Sequence, residues 1–222
     1  NGKLLGSGMS GGVCLAVNRH SGAEVAVKVL STKHLTAKQH EHTIAEVQNQ
    51  LSMDHPNICR LLEVYEESDR LILVMERIKG PDLFDHMHQQ GKYSEQNVAI
   101  CVRQIAQAVN YCHSNGVCHR DLKLENFCLA DPDSAEPIVK MIDFGLSCVT
   151  SQPMTDAVGT LYYVAPEVLR GEYNESCDMW SLGVLTYVML CGGPPFQGVN
   201  DSDTARLIRR GEYFFPSARF SN

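Results

Sequence analysis

The sequence predicts an α+β fold in two lobes, a small mainly antiparallel-β lobe with one helix and a larger mainly α lobe. Three observations carry this expectation. β-rich runs dominate the N-terminal third, apolar stripes at helical spacing dominate the remainder, and Lys79-Gly80-Pro81 interrupts the pattern between them as a hinge. The expected domains are therefore residues 1–78 and 79–222.

Each element follows from local chemistry. Lys3–Leu5 and Val13–Asn18 read as strands flanking a glycine turn, and Glu24–Leu30 as a third strand after Ser21-Gly22. A helix is expected from Thr36 to Met53, ended by His55-Pro56. Leu61–Tyr65 and Leu71–Met75 complete the strands of the first lobe. Beyond the hinge, Val98, Cys101, Val102, Ile105, Val109 and Cys112 fall on one helical stripe, with Ser94 as N-cap. Phe127–Leu129 and Val139–Ile142 read as short strands joined through the turn Asp131-Pro132-Asp133-Ser134. The apolar run Met179–Cys191, closed by Pro194-Pro195, is too short to span a bilayer and reads as a core helix.

Composition excludes several classes. With 19 basic against 26 acidic residues, net charge −7, the chain lacks the basic face that nucleic acid needs. The nine cysteines are scattered and none forms a Cys-x-x-Cys pair. That argues against a disulfide framework or a zinc site and for reduced thiols in a cytoplasmic protein. No signal-peptide pattern is visible and no membrane span is expected.

Five short strings carry the chemistry. Gly6, Gly8 and Gly11 sit between two strands, where missing side chains let backbone N–H groups approach phosphate oxygens. A dinucleotide-binding turn would lead into a helix, but Val13-Cys14-Leu15-Ala16-Val17 reads as a strand. Lys28 ends the run Val25-Ala26-Val27 and can hold α- and β-phosphates when paired with a helix carboxylate. Glu46 is the first candidate partner and Glu41 the alternative. In His119-Arg120-Asp121-Leu122-Lys123-Leu124-Glu125-Asn126, Asp121 can accept the proton of an attacking hydroxyl. The Asn126 carbonyl oxygen can bind a metal, and Lys123 can neutralise charge developing on a transferred phosphoryl group. Asp143 of Asp143-Phe144-Gly145 can hold Mg²⁺ between phosphates. Asp178 reads either as a first-turn acid favoured by the helix dipole or as an anchor for the Asp121 loop.

With Ala165-Pro166-Glu167 downstream, these strings resemble the eukaryotic protein kinase superfamily across essentially the whole sequence. Lys123 and Gly159-Thr160 are similar to the Ser/Thr branch. Asp54-His55-Pro56-Asn57-Ile58, Cys177-Asp178-Met179-Trp180-Ser181-Leu182-Gly183 and Gly193-Pro194-Pro195-Phe196 are similar to calmodulin- and calcium-dependent protein kinases. The resemblance implies a bilobal kinase fold and transfer of the ATP γ-phosphate to protein Ser/Thr hydroxyls with Mg²⁺. It implies that Met75 lies behind the adenine and that Glu76 and Ile78 offer hinge backbone groups. Val13, Ala26 and Cys128 would sandwich the ring, and Asp82 would meet the ribose. His119 and Phe144 would belong to a stacked hydrophobic column. Glu125 and Asp82 would favour basic residues N-terminal to the acceptor. Arg120 would be satisfied by a phosphate on Thr150, Ser151 or Thr155, or by the fixed charge of Asp156, which is preferred here.

Some positions depart from the family pattern. Leu124 stands where proline is usual, Pro81-Asp82 replaces a Gly-Glu pair, and polar Gln50 occupies an apolar column position one turn after Glu46. The stretch reads as partial at both ends. It lacks the arginine that would pair with a Glu167 expected to lie in the interior, and a piece so truncated is expected to be poorly soluble and weakly active. No calcium-binding loop is legible, so any calcium-binding regulatory module is expected outside it. Two other functions compete, a catalytically dead kinase-fold scaffold and a metabolic small-molecule kinase. The presence of Lys28, Asp121, Asn126 and Asp143 disfavours the first, and the Gly159-to-Glu167 peptide-docking segment disfavours the second.

Overall fold

The computed structural model describes residues 3–8, 11–90, 93–132, 134, 136–150 and 153–216, with the side chains of 7, 8, 38, 42, 45, 46, 49 and 90 outside that description. The chain divides into two units, Asn1–Lys79 and Gly80–Asn222.

The described residues of the first unit build one antiparallel sheet and one helix. The strands are β1 (Leu4–Gly8), β2 (Gly11–Val17), β3 (Glu24–Ser31), β4 (Leu61–Glu67) and β5 (Arg70–Glu76), in the order β1-β2-β3-β5-β4. Period-two alternation is clearest in β5, where Leu71, Leu73 and Met75 are buried and the residues between them are half-exposed. β1 and β2 run further into the glycine turn than expected. Ser7 pairs with Gly12 and Gly8 with Gly11, and Gly11 holds φ 118°, a left-handed value that favours glycine. Helix α1 (Ala37–Ser52) follows its predicted bounds, because Thr36 and Gln39 form a capping box at its start. It lies against β4. Val47 and Gln50 are both buried, so the polar Gln50 does face inward at 8% exposure.

The second unit is mainly helical. Its helices are α2 (Leu83–Gln90), α3 (Glu95–Ser114), α4 (Cys177–Cys191) and α5 (Asp201–Arg210). Short strand pairs join them: β6 (Val117–Cys118) with β9 (Cys148–Val149), and β7 (Phe127–Leu129) with β8 (Val139–Met141). The predicted stripe of α3 is the buried one, with Ala108 added and half-buried Val102 at its margin. Ser94 caps α3 by accepting from the Asn97 N–H at 3.1 Å. α3 packs on α4, β6 and β8. Helix α4 starts two residues earlier than predicted and is ended by Gly192 in the left-handed region at φ 75°, before the prolines are reached. Expected in the interior, Glu167 is instead half-buried at the head of the 3-10 turn Val168–Arg170.

Candidate active site

In the first unit, sheet register assembles one set of candidates. Val13 pairs with Lys28, Ala26 with Met75, and Lys28 with Leu73. Ala26 and Lys28 are two apart on β3, so Val13, Ala26, Lys28 and Met75 share one face of the sheet. Ala26 and Met75 are buried, while Val13 and Lys28 are half-buried. Gly6 and Gly8 lie on β1 and Gly11 opens β2. Glu46 lies within α1, and its side chain is outside the described residues. At the end of β5 the Glu76 carboxylate accepts from the Arg60 N–H at 2.8 Å, and its own N–H donates to the Arg60 carbonyl. Ile78 follows, half-buried.

In the second unit, the segment between β6 and β7 is folded around Asp121. The octet bends sharply because Arg120 adopts φ 66°, a conformation that L side chains rarely take. Asp178, 1% exposed on α4, sustains this bend by accepting from the backbone N–H groups of His119 at 2.8 Å and Arg120 at 2.9 Å. The same carboxylate meets His113 Nε2 at 2.8 Å. Of the two readings of Asp178, the loop anchor is therefore present, on a first-turn acid.

Asp121 is held at both oxygens. Oδ1 accepts from the Thr160 N–H at 3.0 Å and the Thr160 hydroxyl at 2.8 Å. Oδ2 accepts from Lys123 Nζ at 2.7 Å and Asn126 Nδ2 at 3.3 Å. Burial alone would raise the Asp121 carboxyl, but hydrogen bonds from Lys123 and Thr160 and the Lys123 charge outweigh it. Asp121 is thus held below the usual carboxylate range. Asn126 also donates Nδ2 to the Asp121 carbonyl at 2.8 Å, which fixes the plane of its amide. Thr160 reaches this loop because its neighbour is glycine. A Cβ on Gly159, at φ 104°, would stand 2.7 Å from the Arg120 carbonyl oxygen.

Asp143 follows β8 closely beside this loop. The Ile142 N–H donates to the Asn126 carbonyl at 3.0 Å, so Asp143 is the residue after that junction. Its Oδ1 accepts from the Gly145 N–H at 3.1 Å, which shapes the Asp-Phe-Gly turn. The Phe144 ring packs on His119, with centroids 5.3 Å apart. Burial pushes the His119 imidazole down against the pull of the Asp178 and Asp121 carboxylates. Arg120 donates Nε to the Leu146 carbonyl at 2.6 Å and Nη1 to Asp156 at 3.4 Å. Of the other candidate partners of Arg120, Ser151 lies outside the described residues.

Asp82 stands just before α2, where its carbonyl accepts from the His86 N–H at 2.9 Å. Its Oδ1 caps α2 by accepting from the Asp85 N–H at 2.8 Å, and its backbone bridges to Cys128 on β7. Burial pushes the Cys128 thiol up to about 12. Glu125 is exposed in the 3-10 turn Leu124–Asn126. Thr160 is the residue that the candidate set lacked. It stands 39 residues from Asp121, and nothing in local spacing announces the bond.

Residues 1–218 match the protein kinase domain family. The chain is 40% identical over 219 residues to calcium-dependent protein kinase 5 of Plasmodium berghei (strain Anka), covering 98% of this chain and 38% of that protein. It is 41% identical over 221 residues to calcium-dependent protein kinase 4 of Plasmodium falciparum (isolate 3D7), covering 98% and 42%. With calcium-dependent protein kinase 3 of Plasmodium yoelii yoelii, identity is 38% over 221 residues, covering 98% and 40%. The chain thus spans about two fifths of these curated relatives. A kinase match over nearly the whole sequence, on a chain whose Asp121 loop and Asp143 turn are built as described, leads to one assignment: this chain belongs to the protein kinase domain family.

Proposed function

We propose that this chain transfers the γ-phosphate of ATP to Ser/Thr hydroxyls of proteins, with Mg²⁺, within a calcium-linked signalling enzyme. The observation that carries the reading is the Asp121 carboxylate, ionised and fixed by Lys123, Asn126 and Thr160. A carboxylate of lowered proton affinity is a weak base in the ground state. It orients the acceptor hydroxyl and takes the proton late, as the new oxygen–phosphorus bond forms and the β–γ bridge breaks with ADP leaving. Lys123, already at Asp121, neutralises charge building on the transferred group. Lys28 and the glycine turn hold the phosphates, with Glu46 as the partner of Lys28. Met75, Val13, Ala26, Cys128 and the backbone of Glu76 and Ile78 receive the adenine. Asp82, with Oδ1 used in capping α2, offers Oδ2 to the ribose.

The donor set suits the metal. Asn126 has its amide nitrogen on Asp121, which turns its oxygen elsewhere, and Asp143 contributes a carboxylate. Amide and carboxylate oxygens are the hard ligands that Mg²⁺ takes, and when bound it supplies charge neutralisation between phosphates. Asp156, beside Arg120, supplies the fixed negative charge of the activation segment. Exposed Glu125 together with Asp82 favours arginine or lysine N-terminal to the acceptor, through charge-assisted bonds. A calcium-binding regulatory module elsewhere in the protein is consistent with relatives called calcium-dependent. Nine free cysteines fit the cytoplasm. No helix among the described residues is long and apolar enough to cross a membrane.

The test couples nucleotide titration, with and without Mg²⁺, to phosphate transfer on a mixed peptide library. Asp121→Asn is expected to retain nucleotide binding and lose most turnover, whereas Asp143→Asn is expected to weaken Mg²⁺-nucleotide binding as well. Equal turnover in Asp121→Asn and the parent would sink the assignment. A library with no preference for basic residues would remove the Glu125 and Asp82 roles alone.

A further inference from the structure

A second set of ligating atoms gathers behind the Asp121 loop. His113 near the end of α3, Cys118 in β6 and Asp178 in α4 each offer one such atom, and the three lie within 4.8 Å of one another. His113 Nε2 is 2.8 Å and Cys118 Sγ 3.4 Å from Asp178 Oδ2. A second thiol stands beside them, with Cys177 Sγ 3.7 Å from Cys118 Sγ. Cys118, Cys177 and Asp178 are buried, while the half-buried His113 gives an approach from solvent.

We propose that His113, Cys118 and Asp178 form a binding site for one thiophilic divalent cation of the zinc class. The donor types select the ion. An imidazole and a thiol with a single carboxylate suit zinc or cadmium, whereas magnesium and calcium prefer oxygen throughout. The spacings also fit. Ligand atoms about 2.0–2.3 Å from a tetrahedral zinc stand roughly 3.3–3.8 Å apart. The sulfur–oxygen separation of 3.4 Å falls in that range, and the 2.8 Å histidine–carboxylate contact must open. On binding, the Cys118 thiol releases its proton to solvent as the sulfur–metal bond forms, and the Nε2 proton that His113 donates to Asp178 passes through solvent to Nδ1, which frees Nε2 as the ligand. No electron changes hands. The dispersed cysteines argued against such a site because its ligands are far apart in sequence, Cys118 and His113 lying 60 and 65 residues from Asp178. Asp178 also holds the His119 and Arg120 N–H groups, so an ion here pulls on the carboxylate that shapes the catalytic loop. Occupancy is therefore expected to inhibit.

Cadmium titration of the chelator-treated full chain tests this through thiolate-to-metal charge-transfer absorbance in the ultraviolet. The expected result is a saturable signal at one equivalent, displaced by zinc and untouched by magnesium. Cys118→Ala should abolish the signal and His113→Gln should weaken zinc binding by at least about tenfold. Cys101→Ala, which removes a buried thiol elsewhere on α3, should change neither. Absence of a one-equivalent step, or zinc affinity unchanged by His113→Gln, overturns the site. His113→Gln decides alone if Cys118→Ala fails to fold, because that side chain is only half-buried at a helix end.

Discussion

Thr160 ties Asp121 down with a backbone N–H and a hydroxyl on the same oxygen. A hydrogen bond to a charged group contributes about 1.5–3 kcal/mol, and about 1.4 kcal/mol corresponds to tenfold in rate. Thr160→Val should therefore lower kcat roughly tenfold or more with little change in ATP affinity, and Thr160→Ser should restore it. Steady-state kinetics with unchanged kcat in Thr160→Val would count against the role. Two buried aspartates also set the acid limit of the fold. Burial opposes ionisation at Asp178, but the His113 hydrogen bond, the nearby His119 and the loop N–H groups hold its carboxyl below the usual range, as the Lys123 and Thr160 bonds do at Asp121. A carboxyl lowered on folding stabilises the native state above the unfolded value of about 3.9, and that stability is lost as pH falls through the lower folded value. Stability from these two should be level above about pH 5 and fall below about pH 4, with a shallower acid limb in Asp178→Asn. Urea midpoints across that range measure it. At this scale Asp121, Lys123, Asn126 and Asp143 were legible because their chemistry is written in contiguous strings. The partners Thr160 and Asp178 come from distant segments, and Asp178 alone was foreseen, as one of two readings.

Among elements, caps and close approaches decide the boundaries. Thr36 and Gln39 close the start of α1 reciprocally, so Thr36→Ala should lower stability by about 1 kcal/mol. Gly80 is a sharper case. A Cβ there would lie 2.3 Å from the Leu129 carbonyl oxygen, which already accepts the Gly80 N–H at 3.0 Å. Gly80→Ala is expected to lower stability by about 1–3 kcal/mol, read as a lower urea midpoint at constant slope. An unaltered midpoint would mean that β7 yields freely. Long periodic elements such as α1, α3 and β5 could be read within a residue or two, because burial repeats many times along them. β6 and β9 are not legible in the sequence because two residues carry no period. The end of α4 at Cys191 agrees with the sequence but has a different cause, since Gly192 turns the chain into the left-handed region before Pro194 can block the helix.

At the scale of the whole chain, all nine cysteines are free, and their exposure divides them. Cys101, Cys112 and Cys118 are fully buried, whereas Cys14, Cys128 and Cys148 are partly open. A thiol-reactive chromophore added without reductant should count nine thiols in denaturant, with the native chain reacting first at the partly open three. Fewer than nine would reveal an internal disulfide. Composition alone anticipated reduced thiols, and it could not anticipate which of them share a neighbourhood. The Asp178 carboxylate has a further consequence for the order of events in synthesis. It holds the backbone of Arg120 from 58 positions downstream. A nascent chain that has just released Asn126 carries every residue of the octet and none of its keel. The loop must wait, unshaped, until α4 clears the ribosome, so the growing polypeptide passes through a long interval in which its chemistry is fully spelled and mechanically silent.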